Sequence, residues 1–194
     1  MLKKISNKRL RTFVKIIIVA VIIFALYCAS WFYFYYTKAK PLLKNIDVDK
    51  INVDNDDDYS YYSWDINNGE LNYTVVIPTF LNFSASYTVL TPTDYDKDGK
   101  ITTKYSYGFY YYASFGSESM YHIMIHDYSN AADAQITEDG ELKFSNEGEI
   151  IYDLYFDKDF NLIEGSDELY NEHKKEIERL FENSKEVLGE DAFK

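Results

Sequence analysis

Hydrophobic and polar positions follow three different rules along this chain. In residues 16–36, IIIVAVIIFALYCASWFYFYY, 21 positions carry no formal charge, and Ser30 is the only conventionally polar member besides the tyrosines. A helix of that length rises roughly 30 Å, the thickness of a bilayer's hydrocarbon core. Its far end, Trp31-Phe32-Tyr33-Phe34-Tyr35-Tyr36, is an aromatic cluster of the kind that settles among headgroups, which suits a retained anchor better than a discarded peptide. Signal-peptidase cleavage is the competing fate: Cys28-Ala29-Ser30 offers small residues before Trp31, but the apolar run continues past that point. Lipoprotein processing at Cys28 would need a small residue before it, and Tyr27 is large, so Cys28 reads as a structural thiol within the bilayer.

Residues 37–58 read as a stalk. Pro41 restricts a helix continuing from the membrane, Asp54-Asn55-Asp56-Asp57-Asp58 is too charged to pack, and Leu42, Leu43, Ile46, Val48, Ile51 and Val53 between them could dock on a domain. From Tyr59 the period becomes two, the mark of half-buried strands. Strands are expected over 59–66 and 71–77, joined by a turn at Asn68-Gly69 and closed by Pro78. A further strand places Phe83, Ala85, Tyr87 and Val89 on one face and Asn82, Ser84, Ser86 and Thr88 on the other. After a turn over 92–99, the stretch 101–112 alternates in the same way, as do 121–128 and, past a short hairpin about Asp139-Gly140, 150–157.

The third regime is helical. Over 167–188, Leu169, Ile177, Leu180, Phe181 and Leu188 form one apolar stripe, Ser166 or Asp167 can cap the start, Asp167 and Glu168 suit the positive end of the dipole, and Gly189 stands where a left-handed cap belongs. Such a stripe must be buried, and the apolar face of the sheet is the large candidate. The expected fold class is therefore α+β: an antiparallel, meandering sheet of about six or seven strands, one face covered by the C-terminal helix, preceded by a single transmembrane helix. The expected parts are a basic tip (1–12), an anchor (13–36), a stalk (37–58) and a sheet domain (59–194).

Charge divides along the same line. The net charge is -12, yet residues 1–36 hold Lys3, Lys4, Lys8, Arg9, Arg11 and Lys15 and no acid, which leaves 14 basic against 32 acidic residues, net -18, beyond Tyr36. The positive-inside rule puts the N-terminus in the cytoplasm and the acidic part outside a cell membrane crossed once. Such acidity disfavours nucleic acid and anionic lipid surfaces as partners of that part. The content of 20 Tyr and 13 Phe with only 8 Gly and 3 Pro argues against disorder, and a single cysteine excludes an internal disulfide and four-cysteine zinc sites.

If the regular apolar set faces the helix, the opposite face carries Lys104, Tyr110, Tyr112, His122, Met124, His126, Tyr128, Asp153, Tyr155 and Asp157. Tyrosine offers large contact area with few rotors and a polar tip, so this set, Lys104 aside, is the expected partner-facing surface; strand propensity alone also favours tyrosine. Asp94-Tyr95-Asp96-Lys97-Asp98-Gly99-Lys100-Ile101 matches the start of a calcium loop, but Tyr105 stands where a bidentate Glu is required, and the segment equally suits a solvated turn. On a strand, His122 and His126 lie about 13 Å apart, too far for one ion, and so do Asp153 and Asp157. His173 is in line with the helix stripe and reads as a packing residue. No nucleophile elbow or phosphate loop occurs, so neither an enzyme nor a cofactor or metal is expected.

The layout resembles TipC-type immunity proteins of Gram-positive bacteria. The resemblance lies in the single membrane segment, the acidic outer domain, the stretch Tyr105-Ser106-Tyr107-Gly108-Phe109-Tyr110, the run Ile151-Tyr152-Asp153-Leu154-Tyr155-Phe156-Asp157-Lys158-Asp159-Phe160-Asn161-Leu162 and the terminal amphipathic helix. It implies a surface-held protector that binds and blocks a secreted toxin of the LXG type, one acting on a cell-wall precursor lipid outside the membrane. A cell-surface ligand-binding or sensor module and an envelope-complex accessory are the alternatives.

Overall fold

A computed structural model describes residues 7–66, 70–97, 101–116, 118–129, 135–136, 142–143 and 149–193. Helix α1 (Asn7–Phe34) leads into a sheet, and helix α2 (Asp167–Leu188) follows it. Among the described residues the strands are β1 (Asn52–Asn55), β2 (Tyr59–Ile66), β3 (Leu71–Pro78), β4 (Ser84–Leu90), β5 (Tyr105–Ser114), β6 (Met120–Asp127), β7 (Gln135–Ile136), β8 (Leu142–Lys143), β9 (Ile150–Phe156) and β10 (Leu162–Glu164). Eight of them form one antiparallel sheet in the order β1-β2-β3-β4-β5-β6-β9-β10, and β7 pairs with β8 between β6 and β9. This is the expected α+β meander, with eight strands in place of six or seven. The turns expected at Asn68-Gly69 and Asp139-Gly140 lie outside the described residues, although the strands on either side of each pair antiparallel.

The two additional strands are the sheet's edges. β1 is exposed throughout and carries Asp54, and β10 is three residues long, so neither presents the alternation of a half-buried strand. Short, charged strands at the edges also discourage pairing with a second chain. The stretch expected as strand over 101–112 begins pairing fully only at Tyr105. Before it, Thr102 N–H donates to Asp94 O at 2.9 Å and Asp94 N–H to Thr103 Oγ1 at 2.7 Å, which ties 101–104 to the preceding loop.

Register sets the two faces. On the inner face one row runs Val75, Tyr87, Tyr111, Tyr121, Phe156 across five strands, and the next runs Tyr73, Val89, Phe109, Ile123, Leu154. All ten are buried in one hydrophobic core. α2 covers this face with His173, Ile177, Leu180, Phe181, Ser184 and Leu188. Ser166 Oγ accepts from Leu169 N–H at 3.3 Å, and Gly189 closes the helix at φ 85, where a Cβ would also meet Asn45 Nδ2 at 2.5 Å. That asparagine donates to Leu188 O at 2.9 Å and so ties the end of α2 to the segment behind α1.

Residues 37–58, read from the pattern as a stalk, are built into the domain. α1 passes into a π turn (Tyr35–Ala39) and a 3-10 turn (Lys40–Leu43) with Pro41 in its first positions. Lys40 N–H reaches Tyr35 O, a wider bond that shifts the winding just where Pro41 supplies no N–H. The shift turns Ala39 and Leu42 into the core beside Phe34, all three almost fully buried. The helical run Leu10–Leu43 is long and apolar enough, by length and composition, to cross a membrane.

Candidate functional site

Among the described residues no helix lies on the outer face of the sheet, and its rows differ from the inner ones in kind. Thr74, Thr88, Tyr110, His122 and Tyr155 lie opposite one another across β3, β4, β5, β6 and β9. From β5 onward the row is aromatic and stacked: Tyr155 lies on His122 at 4.4 Å and 5°, His122 on Tyr110 at 5.4 Å and 27°, and Tyr110 beside Tyr112 at 6.2 Å and 2°. Cross-strand aromatic pairs of this sort each contribute a fraction of a kcal/mol to about one. The stacked rings also make a rigid surface for contact.

Gly108 makes the stack possible. An added Cβ there would meet the Tyr110 ring at 2.7 Å, so Tyr110 leans back along its own strand over the glycine. That posture sets the ring over Gly108 and against His122. Burial raises the Tyr110 phenol, with Tyr112 and Asp153 adding to it, and burial followed by Tyr155 raises that of Tyr112. Both phenols therefore keep their protons and offer O–H donors at their tips.

The carboxylates on this face are engaged by imidazoles. His122 is buried and its Nε2 meets Asp153 Oδ1 at 2.6 Å, while His126 Nδ1 meets Glu149 Oε1 at 2.5 Å. The two histidines, expected too far apart for one ion, thus have separate carboxylate partners. Met124 lies between them, opposite Gly108 and Asp153. Tyr128 closes the far end, its Oη 3.2 Å from Ser106 Oγ and its ring 6.2 Å from that of His126.

Asp157, expected in the partner-facing set, and Lys104, expected on the same face, are used elsewhere. Asp157 lies beyond β9, where Oδ1 accepts from the backbone N–H of Asp159 at 2.9 Å and of Asn161 at 2.8 Å. The Asn161 backbone and side-chain amides, with Asp159, hold this carboxyl below the usual range. Lys104 lies in the bend before β5 with Nζ 4.6 Å over the Tyr105 ring. His173 is a packing residue as expected: it is buried, its Nδ1 lies 2.9 Å from Tyr107 Oη, and it meets Tyr105 edge-on at 4.7 Å.

A second aromatic wall on this face was not anticipated. Tyr59 and Tyr61 stand opposite Tyr112, and between the walls runs an open groove of about 320 Å³ floored by Val76, Ser84 and Ser86. Tyr61 Oη donates to Asp56 Oδ2 at 2.8 Å, and Tyr59 Oη lies 2.8 Å from Ser84 Oγ. The alternation of Tyr59 and Tyr61 with Ser60 and Tyr62 carried the signal, but their face is fixed only by knowing that Val76 is Tyr61's cross-strand partner.

Among the described residues, no group of three or more His, Cys, Asp or Glu is placed to hold a metal ion. Part of the calcium-loop candidate, 98–100, lies outside them. Comparison with family models, with curated proteins and with solved structures returns no match.

Proposed function

We propose that the chain is a membrane-tethered immunity protein whose outer sheet face binds and neutralises a secreted antibacterial toxin. The observation that carries this reading is the stacked row of Tyr112, Tyr110, His122 and Tyr155, displayed on a sheet whose inner face is occupied by α2, Phe34 at the end of α1 and the turns that follow it. Aromatic planes with polar tips, fixed before the partner arrives, lose little entropy on binding. A net charge of -18 beyond Tyr36 speeds encounter with a basic partner. Basic residues before the apolar run support a sheet domain outside the cell, where such a toxin meets its target. The resemblance to TipC-type proteins supports the same reading.

A second reading, a surface module for a peptide or glycan, draws on the groove between Tyr59, Tyr61 and Tyr112. One experiment separates the two. Cells carrying the full chain, or its Tyr112→Ala/Tyr155→Ala variant, are challenged with a secreted toxin encoded beside the gene. Protection by the parent and its loss in the variant, with binding weakened at least about tenfold, supports the immunity reading. Equal survival of cells with and without the chain overturns it.

A further inference from the structure

We infer that the sheet domain is seated on the bilayer through an aromatic collar at the root of α1, formed by the turn after β3 and the turn after β5. The inference rests on α1 being a membrane anchor and adds a lipid-contacting surface on the domain itself.

The turn over 79–83 grips α1 on its last two turns. Trp31 Nε1–H donates to Thr79 O at 3.1 Å, and Tyr27 Oη–H to Leu81 O at 3.3 Å. The Trp31 ring meets Phe80 at 5.1 Å, and Tyr27 meets Phe83 at 5.1 Å. Phe83 in turn touches Phe115, at 5.3 Å, in the turn after β5. Tyr27, Trp31 and Phe34 are four and three residues apart, the spacing of one helix face, and that face belongs to the protein.

These contacts fix the depth of the domain. From Leu10 to Trp31 an α-helix rises about 30 Å, one hydrocarbon thickness. With Arg11 and Lys15 reaching back to the inner headgroups, the outer boundary falls at Tyr27 to Trp31, the level at which the 79–83 turn clamps the helix. Trp31 and Phe34, expected among the headgroups with the rest of the cluster, are buried against the domain. In their place the domain brings Phe80, 55% exposed, and Phe115, 48% exposed, to that level, beside the exposed Phe32, Tyr33 and Tyr36.

Backbone strain agrees. Leu81 holds φ 72, a conformation that favours glycine, at the tip of this turn. The same residue supplies the carbonyl that accepts from Tyr27 Oη–H, so the turn's shape serves its grip on α1. The lipid acting here is the headgroup and acyl boundary, and the attraction is apolar: Thr79 is bonded through N–H and Oγ1 to Asp58 O and Asp57 O, each at 2.8 Å, so an acidic turn flanks the collar. Anionic headgroups weaken this seat.

The full chain, reconstituted in phosphatidylcholine vesicles, tests it. On a Cys28→Ser background, an environment-sensitive label is placed by Phe80→Cys, Phe115→Cys or Lys97→Cys, the last in the loop at the other end of the sheet. Lipid brominated near the headgroup end of its chains should about halve the signal at 80 and 115, leave 97 unchanged, and act less when phosphatidylglycerol is added. In the unaltered chain, a photoactivatable lipid should mark peptides containing Phe80 and Phe115 as well as α1. Absence of quenching and of marking at both turns, in a chain that still resists carbonate extraction, overturns the seat while leaving the anchor. Extraction of the chain by carbonate overturns both.

Discussion

Tyr110 and Tyr111 are neighbours in the chain and do opposite work. Tyr111 is fully buried on the inner face among Tyr87, Tyr121 and Phe193, whereas Tyr110 lies half-buried on the outer face in a stack with His122 and Tyr112. A strand turns successive side chains to opposite faces, so one residue type serves as core filling and as display surface according to parity alone. The inner face is closed by α2, Phe34 and the turns that follow α1, and it holds its tyrosines by burial. Among the described residues the outer face has no such cover, and its rings are held by one another and by Gly108. Stability should therefore respond to changes on one face and recognition to changes on the other.

The largest effect should come from the inner face. Phe109 is fully buried, 5.7 Å from Tyr121 and 6.1 Å from Phe181, and Phe109→Ala should cost about 3–5 kcal/mol in urea unfolding. Tyr112, 43% exposed, should tolerate Ala within about 0.5 kcal/mol while partner binding falls. Equal costs at the two positions would break the division between faces.

Much of this division was legible in the residues. β2 and α2 begin and end where the alternation and the caps placed them, and β9 begins where expected but stops at Phe156, one residue short, because the turn engages Asp157. β1 and β10 escaped notice because exposed edges have no apolar face to repeat. The root of α1 escaped for the opposite reason: Trp31 and Phe34 look alike whether lipid or protein surrounds them, and only the 79–83 turn decides, whereas Leu42, expected to dock, does so. The face of Tyr110, His122 and Tyr155 followed from parity. Their stacking, and the pairing of His122 with Asp153 and His126 with Glu149, required the register between strands that sequence spacing does not contain.

Within the inner face, the hydroxyls sharpen the contrast. Tyr111 Oη–H donates to Ser119 Oγ at 3.0 Å, and Tyr111→Phe should cost about 1 kcal/mol. Tyr87 is buried with its hydroxyl unbonded. Burial drives that phenol far above its ordinary range; Ser184 lies near enough to moderate the shift, but its own hydroxyl donates to Leu180 O at 2.7 Å. Tyr87→Phe should leave the melting temperature unchanged or raise it, and a loss matching that of Tyr111→Phe would show that Tyr87 has a bonded partner.

On the outer face, Gly108→Ala tests the stack without deleting a ring. The new methyl meets only the far end of the Tyr110 side chain, which can swing away, so the fold should lose less than about 1 kcal/mol. Tyr110 should leave His122, seen as a shift of the His122 ring resonances, and partner binding should weaken. Unchanged resonances would mean that Tyr110 does not depend on the glycine for its posture.

The smallest effect should be at Asp157, which the alternation placed with the display residues and which the turn after β9 engages instead. Its folded pKa is depressed by the Asn161 and Asp159 amides, so its contribution to stability is present above the ordinary carboxylate value and is lost as pH falls through the depressed one. Asp157→Asn should therefore lower the melting temperature slightly at neutral pH, and the gap to the parent should close as the solution is acidified below that ordinary value. Partner binding at neutral pH should stay as in the parent, because the carboxylate faces its own turn. A variant that melts normally yet binds poorly would return Asp157 to the display face and extend that face to the end of the sheet that bears Phe80 and Phe115.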